Sequence, residues 1–134
     1  MLEANPEIFN AIDIWNSHSY PNPGFSASPT RVGQNSMRGF EVELKYLKQK
    51  TNKDYLVFIT ETGWIVNAST QRYLESYYTY ALQHIWSHPQ IVAVTPFLLR
   101  GDPGPFKAFT FLDEDSQPTV QYRALQRAMA KVGT

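Results

Sequence analysis

"TNKDYLVFITETGW", residues 51–64, is the stretch on which the fold turns. Four polar residues lead into Tyr55, and a nearly unbroken apolar and β-branched run follows to Thr60. The run is too short for a helix and does not alternate with polar residues. It therefore reads as a strand covered on both faces, as strands of a parallel sheet are. It then stops on a carboxylate, Glu61, followed by Thr62, Gly63 and Trp64.

Two further runs have this character. Ala11 to Trp15 leads into Asn16-Ser17-His18, and Ile91 to Leu99 is interrupted only by Thr95 and Pro96. Helical patterns separate them. Met37, Phe40, Leu44 and Leu47 share one face, with Glu41 and Lys45 as an i,i+4 pair. Tyr73/Leu74, Tyr77/Tyr78, Ala81/Leu82 and Ile85/Trp86 form a broad stripe, with Ser69 or Thr70 as a cap and Pro89 beyond its end. A last helix is predicted from about Val120, capped by Thr119, with Ala124, Leu125, Ala128, Met129 and Val132 on its buried face. Strand and helix alternate three times, the pattern of βαβ units around a parallel sheet.

The loops are unequal. "SYPNPGFSASPTRVGQNS" (19–36) and "RGDPGPFKAFTFLDEDSQPT" (100–119) follow strands and are long, whereas "TNKD" (51–54) and "SHPQ" (87–90) lead into strands and are short. Parallel sheets with a site at the strand C-termini have this asymmetry. The opening "MLEANPEIFNA", with Leu2, Ile8 and Phe9, reads as the tail of another helix-to-strand connection. Three βα units are too few to close an eight-stranded barrel of about 250 residues, so residues 1–134 are read as one portion of a larger domain.

Composition narrows the function. With 134 residues, 43% hydrophobic and 18% charged, the chain is globular. Lys+Arg and Asp+Glu number 12 each, so no basic field favours nucleic acid or an anionic membrane. Without cysteine there is neither a disulfide framework nor a thiolate metal site. No apolar run approaches the roughly 20 residues of a membrane span, and the first residues do not resemble a secretory signal. The compartment stays open, because an export signal of a complete protein would lie upstream; a secreted or cell-envelope location is compatible. No phosphate loop, nucleophile elbow or metal-ligand spacing occurs, and no cofactor is expected.

Glu61 has two readings at this stage. It is a solvated strand-end carboxylate or helix cap, or it is a reactive group delivered to the loop-rich end of the sheet. Gly63 allows an unusual backbone path, and Trp64 offers the aromatic face that a pyranose C–H surface needs. His18 and Tyr20 end the first strand two residues apart, on one side of it. They are a structural histidine and a packed tyrosine, or they meet Glu61 across the sheet. In the second case Tyr20 donates to the carboxylate and fixes its orientation, and His18 contacts substrate or tunes local charge. Asn16, on the side of His18, is a candidate substrate contact or buried support; Trp15 points the other way, to the core. His84 and His88 are read as charge partners of a helix end. Asp102 is read as a turn residue, and Asp113, Glu114 and Asp115 as a solvated turn.

Three stretches taken together, "AIDIWNSHSYP" (11–21), "YLVFITETGW" (55–64) and "IVAVTPFLL" (91–99) with "FTFLD" (109–113), resemble the sixth, seventh and eighth strands of clan A glycoside hydrolases, the cellulase-like (β/α)8 barrels. The resemblance implies an α/β fold made of the last three βα units of a TIM barrel, an incomplete barrel. It implies a retaining glycosidase acting on a β-linked glycan or glycoside, with Glu61 as nucleophile, Tyr20 beside it and His18 as an auxiliary contact. In such enzymes a second carboxylate, roughly 5–5.5 Å from the nucleophile, protonates the leaving oxygen. The resemblance puts that group on a fourth strand, in an Asn-Glu pair absent from this chain, so the chain alone is expected to hydrolyse little. A tryptophan that commonly ends the eighth strand is replaced here, and Phe97 and Phe106 are the candidate substitutes. An incomplete barrel also exposes sheet edges and invites self-association. The competing readings are a non-catalytic carbohydrate-binding or self-assembling unit and an unrelated α/β domain.

Overall fold

The computed structural model describes residues 5–133. A 3-10 turn, Pro6–Ala11, leads into β1 (Ile14–His18), α1 (Gly39–Thr51), β2 (Leu56–Thr62), α2 (Leu74–His84), β3 (Ile91–Pro96) and α3 (Val120–Val132). The strands form one sheet in the order β1-β2-β3, and both pairings are parallel. The expected α/β alternation is present: three strands, each followed by a helix. Leu2 of the opening segment lies outside the described residues. Ala11, expected in the first strand, closes the 3-10 turn instead, and the third strand stops at Pro96, short of Leu99. Among the described residues no helix is long and apolar enough to cross a membrane.

Local chemistry sets the helix ends. α1 stops at Asn52, whose backbone is left-handed at φ 54°. The Thr119 hydroxyl accepts from the Tyr122 N–H at the start of α3, as expected of a cap, and Gly133 ends that helix at φ 78°. α2 begins differently: Gln71–Tyr73 forms a 3-10 turn ahead of it. The Thr70 hydroxyl accepts from the Asn67 N–H instead of capping the helix.

The core lies between one face of the sheet and the helices. Val57 and Ile59 of β2 are fully buried against Phe40, Leu44 and Leu47 of α1 and Leu74, Tyr78, Ala81 and Ile85 of α2. Each such side chain contributes about 1.5–3 kcal/mol through burial. Ala124 and Ala128 present small side chains where α3 joins this core. Glu75 of α2 is held by Arg127 at 2.6 Å and by Lys131, both of α3.

The alternate residues differ from expectation. β2 reads as doubly covered, yet Leu56 is 47% exposed and its neighbour across the pairing, Ile14, 41%. All three helices cover one face, and the apolar residues of the other face meet no second layer among the described residues. The near-continuous run thus reports that both faces are apolar.

Candidate active site

The register of β1 against β2 decides what meets Glu61. Ile14 to Ser17 pair in step with Leu56, Val57, Phe58 and Ile59. The next pair is His18 with Glu61, so β2 carries one extra residue, Thr60, at this point. The slip brings His18 level with the carboxylate. His18 Nδ1 lies 3.5 Å from Glu61 Oε2, and the Tyr20 hydroxyl donates to the same oxygen at 3.2 Å. Oε1 has no hydrogen-bond partner among the described residues. The Glu61 side chain is 39% exposed, so the carboxylate is held yet reachable.

The backbone that positions Tyr20 is fixed from beneath. Ser19 is buried; its hydroxyl accepts from the Phe40 N–H at 2.9 Å, and its carbonyl accepts from the Thr62 hydroxyl at 2.7 Å. β1, β2 and the start of α1 are thereby tied together directly behind the Tyr20–Glu61 pair. Burial, and after it the charge of Glu61 and the hydrogen bond to it, push the Tyr20 phenol above its ordinary range. Tyr20 therefore remains an O–H donor at neutral pH.

The other wall is aromatic. Glu61 opens into a cleft of about 370 Å3 lined by Tyr20, Phe25, Phe97, Phe106 and Phe109. Phe97 arrives at the end of β3, where its N–H donates to the Thr62 carbonyl at 2.8 Å. Phe106 meets it edge to face at 5.3 Å. Phe25 packs edge-on against Tyr20 at 5.0 Å and Phe109 at 5.4 Å. Its φ of +57° places a bulky residue in the left-handed region, a costly conformation held where the loop folds over the cleft.

Trp64 is a correction. The indole offered as a sugar platform is fully buried, with Nε1 donating to the Ala27 carbonyl at 2.9 Å and its ring edge-on to Tyr78 at 5.2 Å. Gly63, at φ +132°, stands between the buried Thr62 and the buried Trp64. A Cβ on Gly63 would approach the Phe97 carbonyl oxygen to 3.4 Å and the Tyr78 hydroxyl to 3.8 Å. Gln121 of α3, also buried, donates to the Trp64 carbonyl at 2.9 Å and fixes the turn.

Of the other candidates, Asn16 is exposed and accepts from the Thr60 hydroxyl; it is not buried support and does not line the cleft. Trp15 packs against the core as expected and donates to Glu43 at 2.8 Å. Asp102 is more than a turn residue: it is nearly buried, with one oxygen 3.1 Å from Lys107 and the other unpaired among the described residues. Among the described residues no group of three or more acidic or histidine side chains could hold a metal ion. Glu61 is the cleft's sole carboxylate among those residues. Phe25 and Phe109 went unread in the sequence; an aromatic at the tip of the Pro-Gly-rich "PNPGF" (21–25) was the one available signal.

No family model matches the chain, and no curated protein matches it either. Among solved structures, it is similar to an endo-β-1,4-glucanase from Xanthomonas axonopodis pv. citri, crystallised as a triple mutant. The TM-score is 0.51 at 20% identity, over 87% of this chain and 37% of the glucanase. The chain thus spans well under half of that structure, and the likeness is one of fold alone.

Proposed function

We propose that the chain carries the nucleophile side of a retaining glycoside hydrolase, with its three βα units corresponding to the last three of a (β/α)8 barrel. Glu61 attacks the anomeric carbon of a β-linked glycan or glycoside. Tyr20 positions the carboxylate and His18 is an auxiliary polar contact. Phe97 and Phe106, with Phe25, offer apolar faces to sugar C–H surfaces in the place first given to Trp64. The observation that carries this reading is the convergence of Tyr20 and His18 on one oxygen of Glu61 at the C-terminal end of a parallel sheet, with the other oxygen unengaged. The name of the similar glucanase makes a β-1,4-glucan the first substrate to try.

The test must not depend on a proton donor. A 2,4-dinitrophenyl 2-deoxy-2-fluoro-β-glucoside supplies a leaving group that departs as a stable phenolate. Attack by Glu61 forms the bond from C1 to the carboxylate oxygen and breaks the bond from C1 to the aryl oxygen, whose electron pair leaves with the phenolate. The fluorine slows hydrolysis of the ester. Mass spectrometry is expected to find one adduct, on the peptide containing Glu61, and none in Glu61→Gln. Absence of an adduct, or an adduct elsewhere that survives Glu61→Gln, refutes the assignment. Unactivated cellobioside is expected to be hydrolysed little by the chain alone.

A further inference from the structure

Apart from Glu61, the cleft is lined by aromatic rings alone: Tyr20, Phe25, Phe97, Phe106 and Phe109. Tyr20 brings the other polar side chain, and its hydroxyl is already given to Glu61. The four phenylalanines carry no hydrogen-bonding group on their side chains. Successive rings stand nearly perpendicular. Phe97 meets Phe106 at 89° and Phe109 at 72°, while Phe25 meets Phe109 at 86° and Tyr20 at 82°. Such rings bound a pocket, whereas parallel rings would make a flat platform. Their burial is graded. Phe109 is buried and Phe97 half-buried, but Phe106 is 50% exposed and Phe25 37% exposed. Phe25 and Phe106, from the two long loops, therefore form the rim.

The exposed rings are held in place. The Phe106 carbonyl accepts from the Phe109 N–H at 2.9 Å. A Cβ on Gly101 would come within 3.1 Å of that carbonyl oxygen and 3.2 Å of the Phe106 Cβ, so the loop closes tightly at this ring. Lys107 and Asp102, 3.1 Å apart, bridge the same loop. Phe25 keeps its left-handed backbone, and its carbonyl accepts from the Ile65 N–H at 3.0 Å. Apolar rings fixed yet partly uncovered beside a held carboxylate are preorganised for a ligand. The lining selects its chemistry. A further sugar unit on this rim would set hydroxyls against hydrocarbon, each giving up water without gaining a partner. An aryl or alkyl group gives up no such bond and removes apolar surface from water. We infer that the phenylalanine rim takes an apolar group, aryl or alkyl, carried by the molecule that meets Glu61. On the glycosidase reading, on which this part rests, that group is the aglycone. Attack by Glu61 expels the leaving oxygen on the far side of C1, toward the rim. The substrate class then narrows to β-glycosides of apolar alcohols or phenols, and a glucan is the poorer ligand.

The probes are phenyl β-glucoside and cellobiose, which share a β-glucosyl unit and differ in what it is linked to. Both are titrated into the chain and followed by backbone amide shifts in heteronuclear NMR spectra. Phenyl β-glucoside is expected to bind at least roughly tenfold more tightly than cellobiose, with its largest shifts at Phe25 and Phe106. Phe106→Gln replaces an exposed ring outside the core and is expected to bring that ratio below about threefold. Leu99→Gln, at a residue 66% exposed that does not line the cleft, is expected to keep it. Equal binding, tighter binding of cellobiose or no measurable binding of phenyl β-glucoside overturns the proposal. So does a preference that survives Phe106→Gln, because the phenyl group then sits on another apolar surface. Glu61 labelling together with equal binding keeps the glycosidase reading and removes the apolar rim. A preference that depends on Phe106, without Glu61 labelling, keeps the rim and removes the glycosidase reading.

Discussion

Trp64→Phe separates a structural indole from a sugar platform. The substitution removes the hydrogen bond from Nε1 to the Ala27 carbonyl and leaves that acceptor in a part-buried place. Leaving it unpaired costs about 1–2 kcal/mol. The smaller ring also opens space in a site that is fully buried and bordered by Tyr77 and Tyr78. That cavity adds about 1–2 kcal/mol. The sum is about 2–4 kcal/mol, a large share of the stability of one small domain. Urea unfolding followed by far-UV circular dichroism reads it directly. With a slope of about 2 kcal/mol per molar urea, the midpoint falls by roughly 1–2 M with the slope unchanged. Ala27 lies in the loop that carries Phe25, so the labelling rate at Glu61 also falls, as a consequence of loosening that loop. A platform at the surface predicts the reverse: an unchanged urea midpoint and weaker ligand binding. That pair of results would refute the buried role.

Tyr20→Phe keeps the ring against Phe25 and removes only the donor to Glu61. A hydrogen bond to a charged group contributes about 1.5–3 kcal/mol, so labelling by the fluoroglucoside is expected to slow at least tenfold, with the thermal midpoint lowered by no more than that bond accounts for; an unchanged rate removes Tyr20 from the site. Alkaline titration tests the two phenols pushed above their ordinary range, Tyr20 by burial and Glu61 and Tyr78 by burial alone. The folded chain keeps these protons when the unfolded chain gives them up above about pH 10. Their contribution is complete below that pH and is lost as pH rises further. Phenolate absorbance is therefore expected to show two of the eight tyrosines ionising only with the loss of tertiary signal. Smooth ionisation of all eight in the folded chain would contradict it.

The fold was legible because its elements obey simple periodicities. Val57 and Ile59 announce a covered strand, Phe40, Leu44 and Leu47 a helical face, and Thr119 a cap. The meeting of His18, Tyr20 and Glu61 was legible because adjacent parallel strands put their C-terminal ends side by side. The slip at Thr60 was not, since no residue type marks it, and it alone sets His18 opposite Glu61 instead of Thr60. Trp64 misled because closeness in sequence to Glu61 was read as closeness to the site, whereas alternation puts it with the buried Thr62, on the side away from Glu61. Phe25 escaped because a loop has no periodicity. Its place depends on long-range contacts to Tyr20 and Phe109 and on its carbonyl accepting from the Ile65 N–H.

On the proposed glycosidase reading, the same geometry explains why an activated leaving group is needed. A glycosidic oxygen must receive a proton as it departs, from a group across the sugar from the nucleophile. Tyr20 cannot supply it, because its phenol holds the proton more tightly than usual and directs it at Glu61. His18 stands on the side of Glu61, with Nδ1 3.5 Å from the oxygen that Tyr20 also engages. The remaining wall, Phe25, Phe97, Phe106 and Phe109, has no proton to give. Every acidic or donating group of the cleft is thus committed to holding Glu61, and nothing among the described residues faces it from across the sugar.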